Sequence, residues 1–297
     1  MAASLSEPRV SVVLPVRDGG SHLEQAVESI LGQTFDDLEL VAVDDGSTDE
    51  TPRILSALAA RDRRVRVQRL EPTGLVAALN AGIGQARGVY VARMDADDVS
   101  LPRRLELQVA ELDARPALGV LGTQVRYINA GGSAIGVWRL PVGEALVRWS
   151  LFFGTALAHP SVMARRELLV AHVYRAEAPH AEDYDLWARL STQTELDNLP
   201  DLLFERRVHG ASVSDLNEAD QIETSLRVQG EVIGRALGQV PSSAQLRALR
   251  TPRTPFEAFA AVRLTMRLLY ASPRTPEVRR DAVRRSSSAL RSGFRRR

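Results

Sequence analysis

Short apolar runs and longer amphipathic runs alternate along the first third of this chain. Residues 10–15, 38–43, 65–70 and 89–94 are short and rich in β-branched or apolar side chains, which predicts four strands. Between the first two, Leu23, Ala26, Val27, Ile30 and Leu31 recur at helical spacing, and residues 51–60 and 75–87 also read as helices. Ser21 is placed to cap the first helix, and Ser47 with Glu50 fits a capping box for the second. This alternation predicts a mostly parallel sheet covered by helices on both faces, with right-handed crossovers. Further on, the pattern predicts a helix over 102–114, a strand over 120–128, a turn at Gly131-Gly132 and a return strand over 135–140. A helix over 144–152, a strand-like piece opening at His159, a helix from Glu182 and a strand over 202–208 follow. From about Ser214 the character changes, and residues 216–237 and 256–271 read as amphipathic helices. The expected organisation is an α/β domain over 1–214 and a helical extension with a basic tail over 215–297.

Ligands of such sheets bind beyond the carboxyl ends of the strands. Asp44-Asp45 closes the second predicted strand, and Asp95-Ala96-Asp97-Asp98 closes the fourth, on the same edge. Three carboxylates within four residues repel one another unless positive charge lies between them. Hard oxygen ligands of this kind suit Mg²⁺ or Mn²⁺, completed by phosphate and water. Taken singly, each cluster is also an ordinary turn or cap. Two on one edge favour a shared nucleotide site.

Composition narrows the chemistry. Among 297 residues there is no Cys, which excludes disulfides, thiolate zinc sites and a cysteine nucleophile. All 38 basic residues are Arg, so neither a Schiff-base nor a P-loop lysine exists. No G-x-G-x-x-G follows the first strand. The net charge of +1 does not advertise nucleic-acid binding, and no nucleic-acid partner is expected. Charge is uneven, however: residues 279–297 hold eight Arg and one Asp. That tail reads either as solvated, partly disordered chain or as a contact for anionic lipid. No signal peptide or apolar stretch of about 18 residues is seen, so a cytoplasmic protein is expected, able to touch the inner face of the membrane.

Seven blocks then carry a family resemblance: Val12-Val13-Leu14-Pro15-Val16; Ser29-Ile30-Leu31 with Gln33-Thr34; Asp44 to Asp49; Ala86-Arg87-Gly88 with Tyr90 and Met94 to Asp98; His159-Pro160-Ser161; Glu182 to Trp187; and Arg207-Val208-His209-Gly210 with Ser212. In type and order, over roughly residues 9–214, they resemble glycosyltransferase family 2, inverting nucleotide-sugar enzymes of the GT-A fold. The resemblance implies that Pro15, Val16 and Asp18 line the base and ribose. It implies that Asp44 or Asp45 bonds the base or ribose, and that Asp95 binds the ribose or shares the metal. Asp97 and His209 would coordinate Mn²⁺ or Mg²⁺, and Asp183 would be the catalytic base, with Asp185 the alternative. Relatives often carry Arg where this chain has Leu79, just before Asn80. Arg93 is a candidate replacement, or else a counter-ion for Asp95 or Asp98.

The implied reaction is an in-line displacement at an anomeric carbon. The acceptor hydroxyl must lose a proton, and a carboxylate at a helix N-terminus such as Asp183 can take it. A divalent metal stabilises the departing nucleoside diphosphate. The expected partners are a nucleotide-sugar donor, a UDP-sugar foremost, and a glycan or lipid-linked acceptor in bacterial surface glycan assembly. Rival readings are a polyprenyl-phosphate glycosyltransferase, a non-catalytic nucleotide-sugar-binding protein and a nucleotidyltransferase. His159 reads as acceptor-site or structural. Trp138, Trp149 and Trp187 are candidates for stacking on sugars, Trp187 being better suited to core packing.

Overall fold

The computed structural model describes residues 7–208 and 218–294. Its centre is a nine-stranded mixed sheet. In spatial order the strands run β3 (Val65–Leu70), β2 (Leu38–Asp45), β1 (Val10–Val16), β4 (Tyr90–Arg93), β8 (Met163–Arg165), β6 (Leu118–Ile128), β9 (Glu195–Arg207) and β5 (Val99–Ser100). A further strand, β7 (Ala134–Trp138), pairs with β6. The first four strands are parallel, and antiparallel pairing enters at β4–β8.

The burial pattern explains the residue choice. Every residue of β1 and β2 is buried, as expected for parallel strands covered on both faces, whereas edge strand β3 alternates. Helices α1 (Leu23–Leu31), α2 (Thr51–Arg61) and α3 (Leu75–Gln85) form the crossovers, and α4 (Arg104–Ala114) follows β5. Helix α1 buries the predicted Leu23, Ala26, Val27 and Ile30. The chain adds strands outward from β1 to β3, then returns to place β4 on the other side of β1. The crevice at that reversal lies beyond the ends of β1, β2 and β4.

Two predicted caps do not form. Helix α1 begins after His22, and its first turn is closed by the Gly19 carbonyl rather than by Ser21. Ser47 is drawn away from α2 because its Oγ accepts from the Asp18 N–H at 2.9 Å. Asp49 instead accepts from the Thr51 N–H at 2.9 Å.

Beyond the sheet, α5 (Glu144–Ser150), a 3-10 turn (His159–Ser161), α6 (Arg166–Ala171) and α7 (Glu182–Leu190) build the second half. Then come α8 (Glu218–Leu237), α9 (Ser243–Arg250), α10 (Pro255–Tyr270) and α11 (Pro276–Gly293). These helices share one apolar cluster with the sheet: Val232, Ile233, Leu264 and Leu268 pack in the group that holds Trp149, Trp187 and Leu190. The disordered-tail expectation fails over the described residues. Helix α11 seats Val278 and Ala282 in the core, and Asp281 accepts from Trp149 Nε1 at 2.8 Å. Among the described residues, no helix is long and apolar enough to cross a membrane.

Candidate active site

The turn after β1 is held by its own acid. Asp18 sits at φ +50°, a left-handed conformation that Asp tolerates. Its Oδ1 accepts from the N–H groups of Thr48 (2.8 Å) and Asp49 (3.3 Å). Pro15 and Val16 end β1 beside it and are buried.

The two acids of β2 separate by role. Asp45 Oδ1 accepts from the Thr73 N–H at 2.7 Å, and its Oδ2 from the Gly74 N–H at 2.9 Å. It thereby anchors the loop that starts α3, a helix whose N-cap glycine has no side chain to offer. Gly46 between the clusters is at φ +70°, and a Cβ there would lie 2.7 Å from Pro72. Asp44 spends only Oδ1, on the Ser47 N–H at 2.9 Å. Its Oδ2 is buried without a hydrogen bond, 3.6 Å from Arg69 Nε.

The end of β4 is different. One carboxylate oxygen from each of Asp95, Asp97 and Asp98 lies within 4.8 Å of the others. Asp98 is buried; Oδ1 accepts from the Arg207 N–H at 2.8 Å, while Oδ2 has no partner. Burial, followed by the charges of Asp95 and Asp97, pushes the Asp98 carboxyl well above the usual range. A carboxyl so disfavoured as an anion, with an orphaned oxygen beside two more acids, fits a hard divalent cation. Strand pairing builds this arrangement: β5 leaves the cluster and pairs with β9, which returns Arg207 to it. His209 lies outside the described residues.

Arg93 joins this cluster to α7. It is 5% exposed and pairs with Asp95 at 2.6 Å, yet its Nε and Nη1 have no hydrogen-bond partner. Its charge also acts on Asp183, Glu182 and His159. The counter-ion expectation therefore holds for Asp95, with two nitrogens left over. Leu79 is buried in the core and Asn80 pairs with the Tyr174 backbone in both directions, at 2.9 and 3.0 Å.

At the start of α7, burial raises the Asp183 carboxyl above its ordinary value, opposed by bonds from the Tyr184 N–H and Thr155 Oγ1 and by Arg93. Its neighbour Glu182 is pushed up to about 7, by burial and then by Asp183. Asp185 is buried and accepts from Arg189 Nε at 2.9 Å. His159 meets the Trp187 ring edge-on, bonds Tyr174 Oη through Nε2 at 2.8 Å, and burial followed by Arg93 holds its imidazole well below the usual range. Trp149 and Trp187 are core residues, and Trp138 stacks on Tyr127.

Sequence reasoning missed Tyr174, Thr155 and Arg104. Arg104 is fully buried, donates to the carbonyls of Arg93 and Val162, and is lowered to about 9 by burial and Arg93. None of the three lies in a motif; only tertiary packing brings them to the site.

The family model for Glycosyl transferase family 2 matches residues 11–170. The O-antigen biosynthesis glycosyltransferase WbnJ of Escherichia coli is 32% identical over 207 residues, covering 68% of this chain and 81% of its own. Putative glycosyltransferase EpsE of Bacillus subtilis is 37% identical over 190 residues, covering 62% and 67%. Among solved structures, S. aureus TarS 1–349 in complex with UDP-GlcNAc superposes with a TM-score of 0.61 at 19% identity, over 95% of this chain and 89% of that one. Mannosyltransferase PcManGT from Pyrobaculum calidifontis in complex with GDP-Man and Mn2+ gives 0.60 at 18% identity, over 98% and 88%. The fold is GT-A.

Proposed function

The chain belongs to glycosyl transferase family 2, and we propose that it moves a sugar from a nucleotide-diphosphate sugar onto an acceptor hydroxyl with inversion at the anomeric carbon. The observation that carries this reading is that one buried arginine, Arg93, pairs with Asp95 at 2.6 Å inside the carboxylate cluster after β4, and its charge also acts on Asp183 at the start of α7. Residues 1–214 form the catalytic unit, and 215–297 support it.

Asp183 takes the acceptor proton. Burial makes it more basic than a free aspartate, while the Tyr184 N–H, Arg93 and the Thr155 hydroxyl favour its charged form. Asp44 offers the oxygen that has no hydrogen bond to an N–H or O–H of the nucleoside, Pro15 and Val16 line that position, and Asp18 and Asp45 fix the loops around it. Asp97 and Asp98 hold Mn²⁺ or Mg²⁺, with Asp95 sharing the metal or bonding the ribose, and the family pattern adds His209. When bound, that cation supplies Lewis-acid stabilisation of the charge growing on the diphosphate. Arg93, with two buried nitrogens that lack a hydrogen-bond partner, supplies the cation for the same charge in place of the basic residue that Leu79 does not provide.

The relative named for O-antigen biosynthesis supports a place in surface polysaccharide or glycoconjugate assembly, and the TarS complex with UDP-GlcNAc supports a UDP-sugar as donor. Turnover of a panel of UDP- and GDP-sugars, with Mn²⁺ and with chelator, tests the reading. One donor consumed only in the presence of the metal is expected. No donor consumed by folded protein under any condition would overturn it.

A further inference from the structure

Helices α10 and α11 pack antiparallel: Gly293 near the end of α11 meets Thr254 and Ala258 at the start of α10. The inner face of α10 buries Ala258, Ala261, Leu264, Thr265 and Leu268. Its outer face carries Phe256, Phe259, Arg263, Arg267 and Tyr270, all exposed. At 3.6 residues per turn these five fall within an arc of about 80° and span about 21 Å. Phe256 is 83% exposed and Tyr270 73%. Phe294, past the end of α11, extends the strip, its ring meeting Phe259 edge-on at 5.9 Å. The Arg274 guanidinium lies 4.7 Å above the Tyr270 ring.

A helix anchored by one apolar face does not need phenylalanines on the other, and a contiguous aromatic strip marks an interaction surface. Charge identifies the partner. Residues 255–297 hold eleven Arg against Glu257, Glu277 and Asp281, a net +8. With a chain total of +1, residues 1–254 stand at −7. Arg263 and Arg267 make no ion pair with a described residue.

We propose that this outer face docks on an anionic lipid bilayer. The rings of Phe256, Phe259 and Phe294 enter at headgroup level, and Arg263 and Arg267 meet lipid phosphates. A polyanion such as nucleic acid would reward the arginines but leave the most exposed ring, Phe256, idle. None of these residues belongs to the transfer site, so the inference stands or falls independently of the proposed activity.

Flotation of the full chain with vesicles tests it. Binding is expected to phosphatidylcholine mixed with phosphatidylglycerol, weakened by salt, and not to phosphatidylcholine alone. Arg263→Gln with Arg267→Gln lowers the partition coefficient roughly thirtyfold, from about fivefold per arginine. Phe256→Ser with Phe259→Ser lowers it at least about tenfold. Both pairs leave the melting temperature unchanged, because the side chains are exposed. No binding, equal binding to neutral vesicles, or binding retained by the arginine pair overturns the proposal. So does dimerisation without vesicles that the phenylalanine pair abolishes, which would give the face to a second copy.

Discussion

Two acidic clusters end strands on the same edge of one sheet, and the fold uses them in opposite ways. At β2, Asp45 is consumed by the Thr73–Gly74 loop, and nearby Asp18 by the Thr48 and Asp49 backbone. At β4, Asp98 keeps a buried oxygen without a partner, and Arg93 keeps two such nitrogens. An acidic motif becomes a reactive site where local structure leaves its oxygens unspent, since buried polar atoms are otherwise satisfied. Asp44 is the exception inside the first cluster, with one oxygen hydrogen-bonded and the other meeting only Arg69 at 3.6 Å. That distinction divides residues whose loss costs stability from those whose loss costs chemistry.

The largest contrast lies between Asp183 and Asp45. Asp183→Asn is expected to lower kcat by about 10²–10⁴-fold with little change in melting temperature, as steady-state kinetics and calorimetry will read. Asp45→Ala should do the reverse, costing about 2–4 kcal/mol in denaturant unfolding through the lost charge-assisted bonds. An Asp45 variant that melts normally but no longer binds donor would break the comparison.

Smaller effects follow from the raised acids. Burial and then Asp183 push the Glu182 carboxyl up to about 7, above the ordinary 4.5, so at this group the native state binds more protons in that window. Stability therefore falls as pH rises from about 4.5 through 7, and Glu182→Gln should flatten that slope by on the order of 2 kcal/mol. Smallest, Asp98→Asn should raise metal-free stability by about 1 kcal/mol, because an amide escapes the cost of a buried carboxylate and still accepts from Arg207. An unchanged pH–stability profile in Glu182→Gln, or a less stable Asp98→Asn, would count against this electrostatic picture.

The third of the chain up to β4 was legible because its signals are local. Buried strands of six to eight residues, helical spacing in α1 and acids at strand ends all sit within short windows. The failures were those in which a distant partner wins. Ser47 gives up its cap because the β1–β2 pairing brings the Asp18 N–H to it. Strand β9 begins at Glu195, well before the predicted 202, since Pro200 and the polar Asp197, Asn198 and Asp201 mask it. Helix α11 was hidden because the face it buries is made mostly of small residues, Ala282, Ser286 and Gly293 beside Val278. Within the site, the acids were readable from motifs. The network of Tyr174, Thr155, Arg104 and Arg93 that sets their charge exists only in three dimensions.

The donor site is proposed to rest on the carboxylate cluster of Asp95, Asp97 and Asp98 that follows β4. Thermal unfolding with nucleoside diphosphates, with and without Mn²⁺, tests it most directly. A ligand at a hundred times its Kd contributes about 2.7 kcal/mol, a rise of several degrees for a chain of this size. Such a rise is expected with one nucleotide only when Mn²⁺ is present, lost in Asp97→Ala and kept in Asp49→Ala. An equal rise without metal, or one that survives Asp97→Ala, would contradict it.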